Sequence, residues 1–328
     1  MEDPRLLVTI PPSTEVDQVL ACRLPGVPVL FARDFGSTAR ASIEAALIGQ
    51  LDRQLPQLTP DLLPNLRFAQ SLSTGVDRFP FSKFGAKVRI AGNVGAYAPS
   101  VAEHAVALIL ALAKNIVTSD RIVHDGRLRP VPNSLVLEGR RALIVGFGAI
   151  GHEVARRLRG MGLTIEGISR DGASDPGADH VAPLVELGDA MERADVIVNC
   201  LPLARDTLGV FGKAELARLR PEAMFVNVGR ARTIDATAFW SFLEEHPNTR
   251  VGLDVWWDED FASGRLKFPA PLERYPHLIG SPHSAGATSA SRGRAFELAC
   301  QNLARFFGGE DPLYVVDRRN AELEDPSP

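Results

Sequence analysis

Gly146-Phe147-Gly148-Ala149-Ile150-Gly151 follows directly on the apolar run Ala142-Leu143-Ile144-Val145. A glycine-rich turn that leaves a strand and opens a helix lets backbone N–H groups and the helix N-terminus hold a pyrophosphate. In that reading Gly146 permits the turn, Gly148 lets the pyrophosphate approach, and Gly151 brings the helix against the sheet. The spacing alone is a weak signal; its place between a strand and a helix gives it weight.

Outward from this turn, apolar strands alternate with helices. Strands are expected at 142–145, 163–168, 196–200, 224–228, 250–255 and 278–279, with helices at 150–160, 187–193, 213–219 and 237–246. Short, nearly continuous apolar strands separated by helices predict a doubly wound parallel sheet. Upstream, strands at 6–10, 27–32, 66–72 and 88–91, with a helix or mixed segment at 39–49, suggest a second, smaller parallel sheet. A helix over 101–113 is apolar around most of its circumference, so it must be buried on several sides, against its own sheet or a second subunit. Another helix spans 290–308, and 317–328 reads as a loose tail.

The glycine-rich region lies mid-chain, so the two ends are expected to combine. Residues 1–98 with 287–316 would form a substrate-binding domain, and 99–286 a dinucleotide-binding domain. The expected fold class is α/β: two doubly wound parallel-sheet domains, a Rossmann cofactor domain inserted in a flavodoxin-like substrate domain.

The chain has 328 residues, 45% apolar and 23% charged, with a formal net charge of -4. That is an ordinary globular composition, and the charge balance argues against a nucleic-acid partner. Cys22, Cys200 and Cys300 lie far apart, with neither metal-ligand spacing nor a disulfide framework, so no metal and a reducing cytoplasm are expected. Glu2 and Asp3 precede the first strand, which predicts no signal peptide. Glu103, His104 and Lys114 interrupt the longest apolar helix, which predicts no membrane partner.

The second strand of the cofactor domain ends in Ser169-Arg170, where an Asp or Glu would grip the ribose of NAD. Ser169 removes the repulsion of a 2′-phosphate and Arg170 can pair with it, which favours NADP. NAD stays open, because Arg170 can equally be a solvated loop charge and Asp171 or Asp175 can screen it or reach a ribose.

Three residues stand where this architecture needs chemistry. Arg230 follows Asn227-Val228-Gly229 past a strand end, Glu259 follows Asp254-Val255-Trp256-Trp257, and His283 stands in Ser281-Pro282-His283-Ser284-Ala285-Gly286. An arginine can bind a carboxylate bidentately, and a histidine can pass a proton near neutral pH. A glutamate beside that histidine would favour its charged form and orient the ring.

These segments, with Ser73-Thr74-Gly75-Val76-Asp77, Val101-Ala102-Glu103-His104 and Leu201-Pro202-Leu203, together make the chain resemble the D-isomer-specific 2-hydroxy acid dehydrogenase family, over roughly residues 66–310. Within that family it is closest in character to glyoxylate/hydroxypyruvate reductases. The resemblance implies reduction of a 2-oxo acid to its D-2-hydroxy acid by NADPH or NADH. It implies that Arg230 binds the substrate, that His283 is the acid/base and Glu259 its partner, and that Thr74, Gly75 and Val76 supply N–H groups to the carboxylate. The implied cofactor set is Gly146, Gly148, Ala149, Ile150, Gly151, Ser169, Arg170, Leu201, Pro202, Thr207, Asp254, His283, Ala285 and Gly286. Asp254 would lie near the nicotinamide carboxamide and Thr207 near the phosphates. A homodimer through the 101–113 helix is implied as well.

Ser73, Ala149, Ala231 and Asp260 depart from the family pattern beside these positions, which bears on substrate class more than on activity. Alternatives are a D-3-phosphoglycerate dehydrogenase-like enzyme, another NAD-dependent member, or a dinucleotide-binding scaffold without catalysis. Glu259 speaks against a formate dehydrogenase, whose histidine partner is glutamine.

Overall fold

The computed structural model describes residues 3–36, 40–49, 61–79, 81 and 84–322. The chain divides into two compact units, one made of the residues up to Tyr97 together with those from Thr288 onward, the other of Ala98–Ala287.

The first unit is built on five parallel strands: β1 (Leu6–Val8), β2 (Val29–Phe31), β3 (Ala45–Ile48), β4 (Phe68–Ser71) and β5 (Arg89–Ala91). They lie in the order β2-β1-β3-β4-β5, a flavodoxin-like sheet. Alternate side chains leave opposite faces. Leu6, Val8, Leu47 and Phe68 pack on one side with Leu20 of helix α1 (Thr14–Arg23), with Leu24 just past its end, and with Phe296 and Leu303 of the helix Ser289–Phe307. Leu7, Ala46, Ile48 and Ile90 pack on the other with Phe35, Phe79 and Phe84. Phe68 and Phe306 stack at 5.2 Å, which shows how the end of the chain completes a core begun at its start.

The second unit carries seven parallel strands: β6 (Arg141–Val145), β7 (Thr164–Ser169), β8 (His180–Pro183), β9 (Val196–Asn199), β10 (Met224–Asn227), β11 (Arg250–Leu253) and, after a two-stranded antiparallel hairpin β12 (Glu259–Asp260) and β13 (Arg265–Leu266), β14 (Leu278–Gly280). Their order is β14-β11-β10-β9-β6-β7-β8, the Rossmann pattern, whose direction of winding reverses beside β6. Val145, Asn199, Asn227, Leu253 and Gly280 stand in register across the five strands β6, β9, β10, β11 and β14. That row is the carboxyl edge of the sheet, and the loops leaving it carry the chemistry.

One face of this sheet buries Leu143, Val145, Ile197, Phe225 and Val251 with Phe211, Phe239 and Trp256. On the other lies helix α2 (Ala98–Ala113), so close that a Cβ at Gly252 of β11 would stand 3.2 Å from Leu108 Cβ. Ala102, Ala105, Ile109 and Leu112 of α2 are buried within this unit, so its apolar circumference is used mainly inside the chain.

Several elements differ from expectation. Within 39–49, Ala45–Ile48 is the central strand β3 and not a helix; Ala39 lies outside the described residues. The segment after β7 is not wholly loop, because His180–Pro183 adds β8 at the sheet edge. A further helix, α3 (Ile116–His124), follows α2 after Asn115, whose left-handed backbone (φ 52°) breaks the run. Within 317–328, Arg318–Ala321 form a short helix capped by Asp317, and 323–328 lie outside the described residues. Among the described residues no single helix is long and apolar enough to cross a membrane.

Candidate active site

The glycine turn shows three separate physical needs. Gly146 has φ +93°, and a Cβ there would lie 2.9 Å from the backbone of Cys200 and Leu201. A Cβ on Gly151 would run into the Gly146 carbonyl oxygen. At Gly148 a Cβ would meet nothing within 4 Å among the described residues. Gly148 is the N-cap of helix α4 (Ala149–Arg159) and supplies no side-chain cap, and the first turn holds no acidic residue. The helix therefore presents uncapped N–H groups and its positive dipole end to open space, a cradle that fits a dinucleotide pyrophosphate.

Beyond β7, Ser169 Oγ accepts the Gly172 N–H at 3.0 Å and shapes a turn, while Asp171 accepts the Ala173 N–H at 3.2 Å. Asp175 is engaged elsewhere: it accepts from Gly177 N–H at 2.7 Å and lies 2.7 Å from His152 Nε2. Burial opposes a charge on His152, but its bonds to the Gly148 carbonyl and to Asp175 outweigh this and hold its pKa above the ordinary histidine value. Arg170 is 77% exposed, with Nε 3.2 Å from Asp206 Oδ2.

Loops from neighbouring strands are tied to one another behind this edge. Asn199 Nδ2 donates to Asn227 Oδ1 at 3.1 Å and to Thr233 Oγ1 at 2.7 Å, and Asn227 Oδ1 accepts the Gly229 N–H at 3.0 Å. Asn199 Oδ1 in turn accepts the Leu201 N–H at 3.0 Å. A Cβ on Gly229 would lie 2.5 Å from the Leu201 carbonyl oxygen, so the Leu201-Pro202 loop and the Arg230 loop need that glycine to pack. Thr207 is buried, and its hydroxyl donates to the Pro202 carbonyl at 2.7 Å, which shapes the same loop.

Gly148, Arg230 and His283 each stand three residues past the in-register row, after β6, β10 and β14. Arg230 Nη1 donates to the Gly229 carbonyl at 2.9 Å. Glu259 and His283 come together: the two carboxylate oxygens lie 3.0 and 2.9 Å from His283 Nδ1. Glu259 is itself aimed by the Trp256 N–H, which donates to Oε1 at 2.9 Å, and its side chain is 7% exposed against 30% for the histidine. Phe261, on the β12–β13 turn, packs edge-on against the imidazole at 5.5 Å.

His283 has φ +52°, a left-handed conformation that costs a non-glycine residue about 1–3 kcal/mol and persists only where surroundings over-determine it. They do so here. Its N–H donates to the Asp254 carbonyl at 2.7 Å, and the buried Asp254 carboxylate accepts the N–H groups of Ser284 at 2.9 Å and Ala285 at 3.1 Å. Asp254 thus organises the histidine loop through its own main chain and side chain.

Thr74, Gly75 and Val76 belong to the other unit, in the loop after β4. Thr74 Oγ1 donates to the Asn93 carbonyl at 3.0 Å, and Val76 is buried. Reasoning from sequence missed Asn199 and Asn227, although each closes an apolar strand in the same way, and it missed the contacts of Ser281 and His104. Among the described residues no group of three or more His, Cys, Asp or Glu could hold a metal.

Comparison with known proteins agrees with this layout. The model of the D-isomer specific 2-hydroxyacid dehydrogenase NAD binding domain matches residues 106–285, more than half of the chain. A glyoxylate reductase of Korarchaeum cryptofilum is 28% identical over 291 residues, 86% of this chain and 85% of its own length. A glycerate dehydrogenase related protein of Thermoplasma acidophilum is 29% identical, with 92% of this chain and 99% of that one covered and a TM-score of 0.62. An NADPH-dependent glyoxylate/hydroxypyruvate reductase of Sinorhizobium meliloti, solved with NADP and sulfate, shares the fold at 23% identity, 97% and 99% coverage and a TM-score of 0.79. A Rossmann sheet with this edge, matched by that family model over most of its length, means that the chain belongs to the D-isomer specific 2-hydroxyacid dehydrogenase family and is an NAD(P)-dependent oxidoreductase.

Proposed function

We propose that this enzyme reduces a small 2-oxo acid of the glyoxylate or hydroxypyruvate kind to its D-2-hydroxy acid, with NADPH favoured over NADH. The observation that carries the reaction is the Glu259 carboxylate held against His283 Nδ1. With Nδ1 engaged, Nε2 is the atom that exchanges a proton with substrate. In reduction, charged His283 donates to the oxygen on substrate C2 while Glu259 stabilises the imidazolium; in oxidation, neutral His283 accepts that proton. Arg230 binds the carboxylate through its planar fork, and its charge stabilises the negative charge developing on the carbonyl oxygen. A nicotinamide dinucleotide supplies the hydride. The residues that would hold it are the turn Gly146 to Gly151, Ser169 and Arg170, and the loops bearing Leu201, Pro202, Thr207, Asp254, Ala285 and Gly286.

The substrate reading is supported by the glyoxylate reductase relative and the cofactor reading by Ser169-Arg170. Asp171 accepts the Ala173 N–H and Asp175 is taken up by the Gly177 N–H and His152, so Arg170 faces Asp206 at the strand end, where a 2′-phosphate would take the place of Asp206 as its partner. The test is a reduction assay crossing NADPH and NADH with glyoxylate, hydroxypyruvate, pyruvate and bulkier 2-oxo acids. The expected result is highest kcat/KM for glyoxylate or hydroxypyruvate with NADPH. A large NADH preference would remove the role given to Arg170, and turnover confined to bulkier acids would overturn the substrate class.

We further propose that the chain pairs with a second copy. The helix over 101–113 is mostly consumed inside its own unit, so the contact is better drawn from Ile116, Val123, Leu128 and Val136, apolar side chains left exposed just after it.

A further inference from the structure

Ser100 and His104 stand one turn apart on helix α2, so their side chains leave the same face. Both reach the segment that carries His283. Ser100 Oγ donates to the Ala285 carbonyl at 2.6 Å, and His104 Nε2 lies 2.7 Å from Ser281 Oγ. Chemistry fixes the direction of the second bond. The Asp254 carboxylate only accepts, and Ser281 Oγ lies 2.6 Å from its Oδ1, so the serine gives its single proton there. Ser281 can then only accept from His104, whose hydrogen must sit on Nε2.

With the N–H bonds from Ser284 and Ala285 to Asp254, and that of Ser281 to the Leu253 carbonyl at 2.9 Å, every residue from 281 to 285 except Pro282 is tied down. We infer that His104 is a positioning residue for His283, acting through Ser281 and Asp254, with Ser100 as the second tie. The inference rests on the reading of His283 as the acid–base group. Without His104 the Ser281 hydroxyl loses its donor and can turn away from Asp254, which removes one of the ties that aim this carboxylate and loosens the loop that holds His283. An imidazole displaced by about 1 Å is enough to cost a reaction on the order of 100-fold.

The experiment compares His104→Leu, His104→Gln and His283→Ala with the parent enzyme, using NADPH and the best acid from the substrate panel. His104→Leu should lower kcat about 10–100-fold while substrate KM and NADPH Kd move less than about 3-fold. His104→Gln, whose amide can donate to Ser281, should recover to within about 3-fold of the parent. Independently of turnover, imidazole nitrogen NMR of the parent without cofactor should show neutral His104 protonated on Nε2. Parental kcat in His104→Leu, equal loss in the glutamine variant, or a hydrogen on Nδ1 alone overturns the inference. If His283→Ala keeps parental turnover, the acid–base reading falls; if it loses turnover while His104→Leu does not, only the positioning role falls.

Discussion

Neutral His283 carries one ring hydrogen, and the Glu259 carboxylate, an acceptor on both oxygens, decides that it sits on Nδ1. Glu259→Gln keeps the shape but offers an N–H to that nitrogen, which favours the opposite tautomer. Both Glu259→Gln and His283→Ala should lower kcat by roughly 10²–10⁴, the usual worth of a positioned acid–base group, with dinucleotide Kd within about 3-fold of the parent. Steady-state rates together with nucleotide fluorescence titration check this, and unchanged kcat in either variant removes that residue from proton transfer. His152 invites a different measurement. Folding raises its pKa, so its stabilising contribution is complete below the ordinary histidine value and fades as pH rises through the raised one. Asp175 is held low chiefly by the Gly177 N–H, with burial opposing and His152 helping, so its share is lost only as pH falls through that lowered value. The Tm difference between the parent and His152→Leu should be larger at about pH 6 than at about pH 9. An equal difference at both would show that the ring acts through packing on Phe147 alone. Arg230, Glu259 and His283 stand out in sequence because few residue types could do the proposed chemistry past a strand end. Ser281 and His104 are not, because a 2.7 Å contact across 177 residues leaves no local pattern.

The glycine turn separates folding from binding within one element. Gly148→Ala adds a methyl to space open among the described residues, at an ordinary extended backbone, so Tm should stay within about 1–2 °C of the parent. The same methyl stands where the helix N-terminus would meet pyrophosphate, and dinucleotide Kd should rise about tenfold or more. Gly151→Ala instead drives a methyl into the Gly146 carbonyl, an overpacking that costs about 1–3 kcal/mol and should lower Tm by about 2–10 °C. Differential scanning calorimetry and nucleotide titration of both variants test the pair; a Gly148→Ala protein that binds as the parent does would refute pyrophosphate binding at this turn. The elements that sequence misread fail for identifiable reasons. Ala45-Ala46-Leu47-Ile48 is rich in good helix formers, yet pairing between β1 and β4 makes it a strand. His180–Pro183 lies at the sheet edge, where its one neighbouring strand among the described residues is β7, and it carries a proline, as short edge strands do. Continuously apolar strands such as β9 and β10 were legible, short as they are, because burial on both faces leaves no polar alternation to confuse them.

Two parallel sheets were also legible, in the two separate sets of apolar strands, and Phe68 against Phe306 shows the two ends of the chain sharing one core. The surface proposed for self-association was not legible in sequence: an apolar helix carries no mark saying which of its sides faces a sheet of its own chain. Packing supplies the answer. Helix α2 spends Ala102, Ala105, Ile109 and Leu112 internally, whereas Val123 of α3 is 69% exposed and Leu128 wholly so. Large apolar side chains left in water over one stretch of chain are the mark of a surface that another molecule covers, and a stable homodimer interface buries about 800 Å² or more on each side. Charges placed at the centre of such a contact must be desolvated against a second copy of themselves, which opposes association without touching either core. A Val123→Asp/Leu128→Asp double variant should therefore run as a monomer where the parent runs as a dimer, with nucleotide binding retained. Sedimentation velocity over a range of micromolar concentrations decides it. A parent that is monomeric throughout, or a dimer indifferent to both charges, would place any association elsewhere on the molecule.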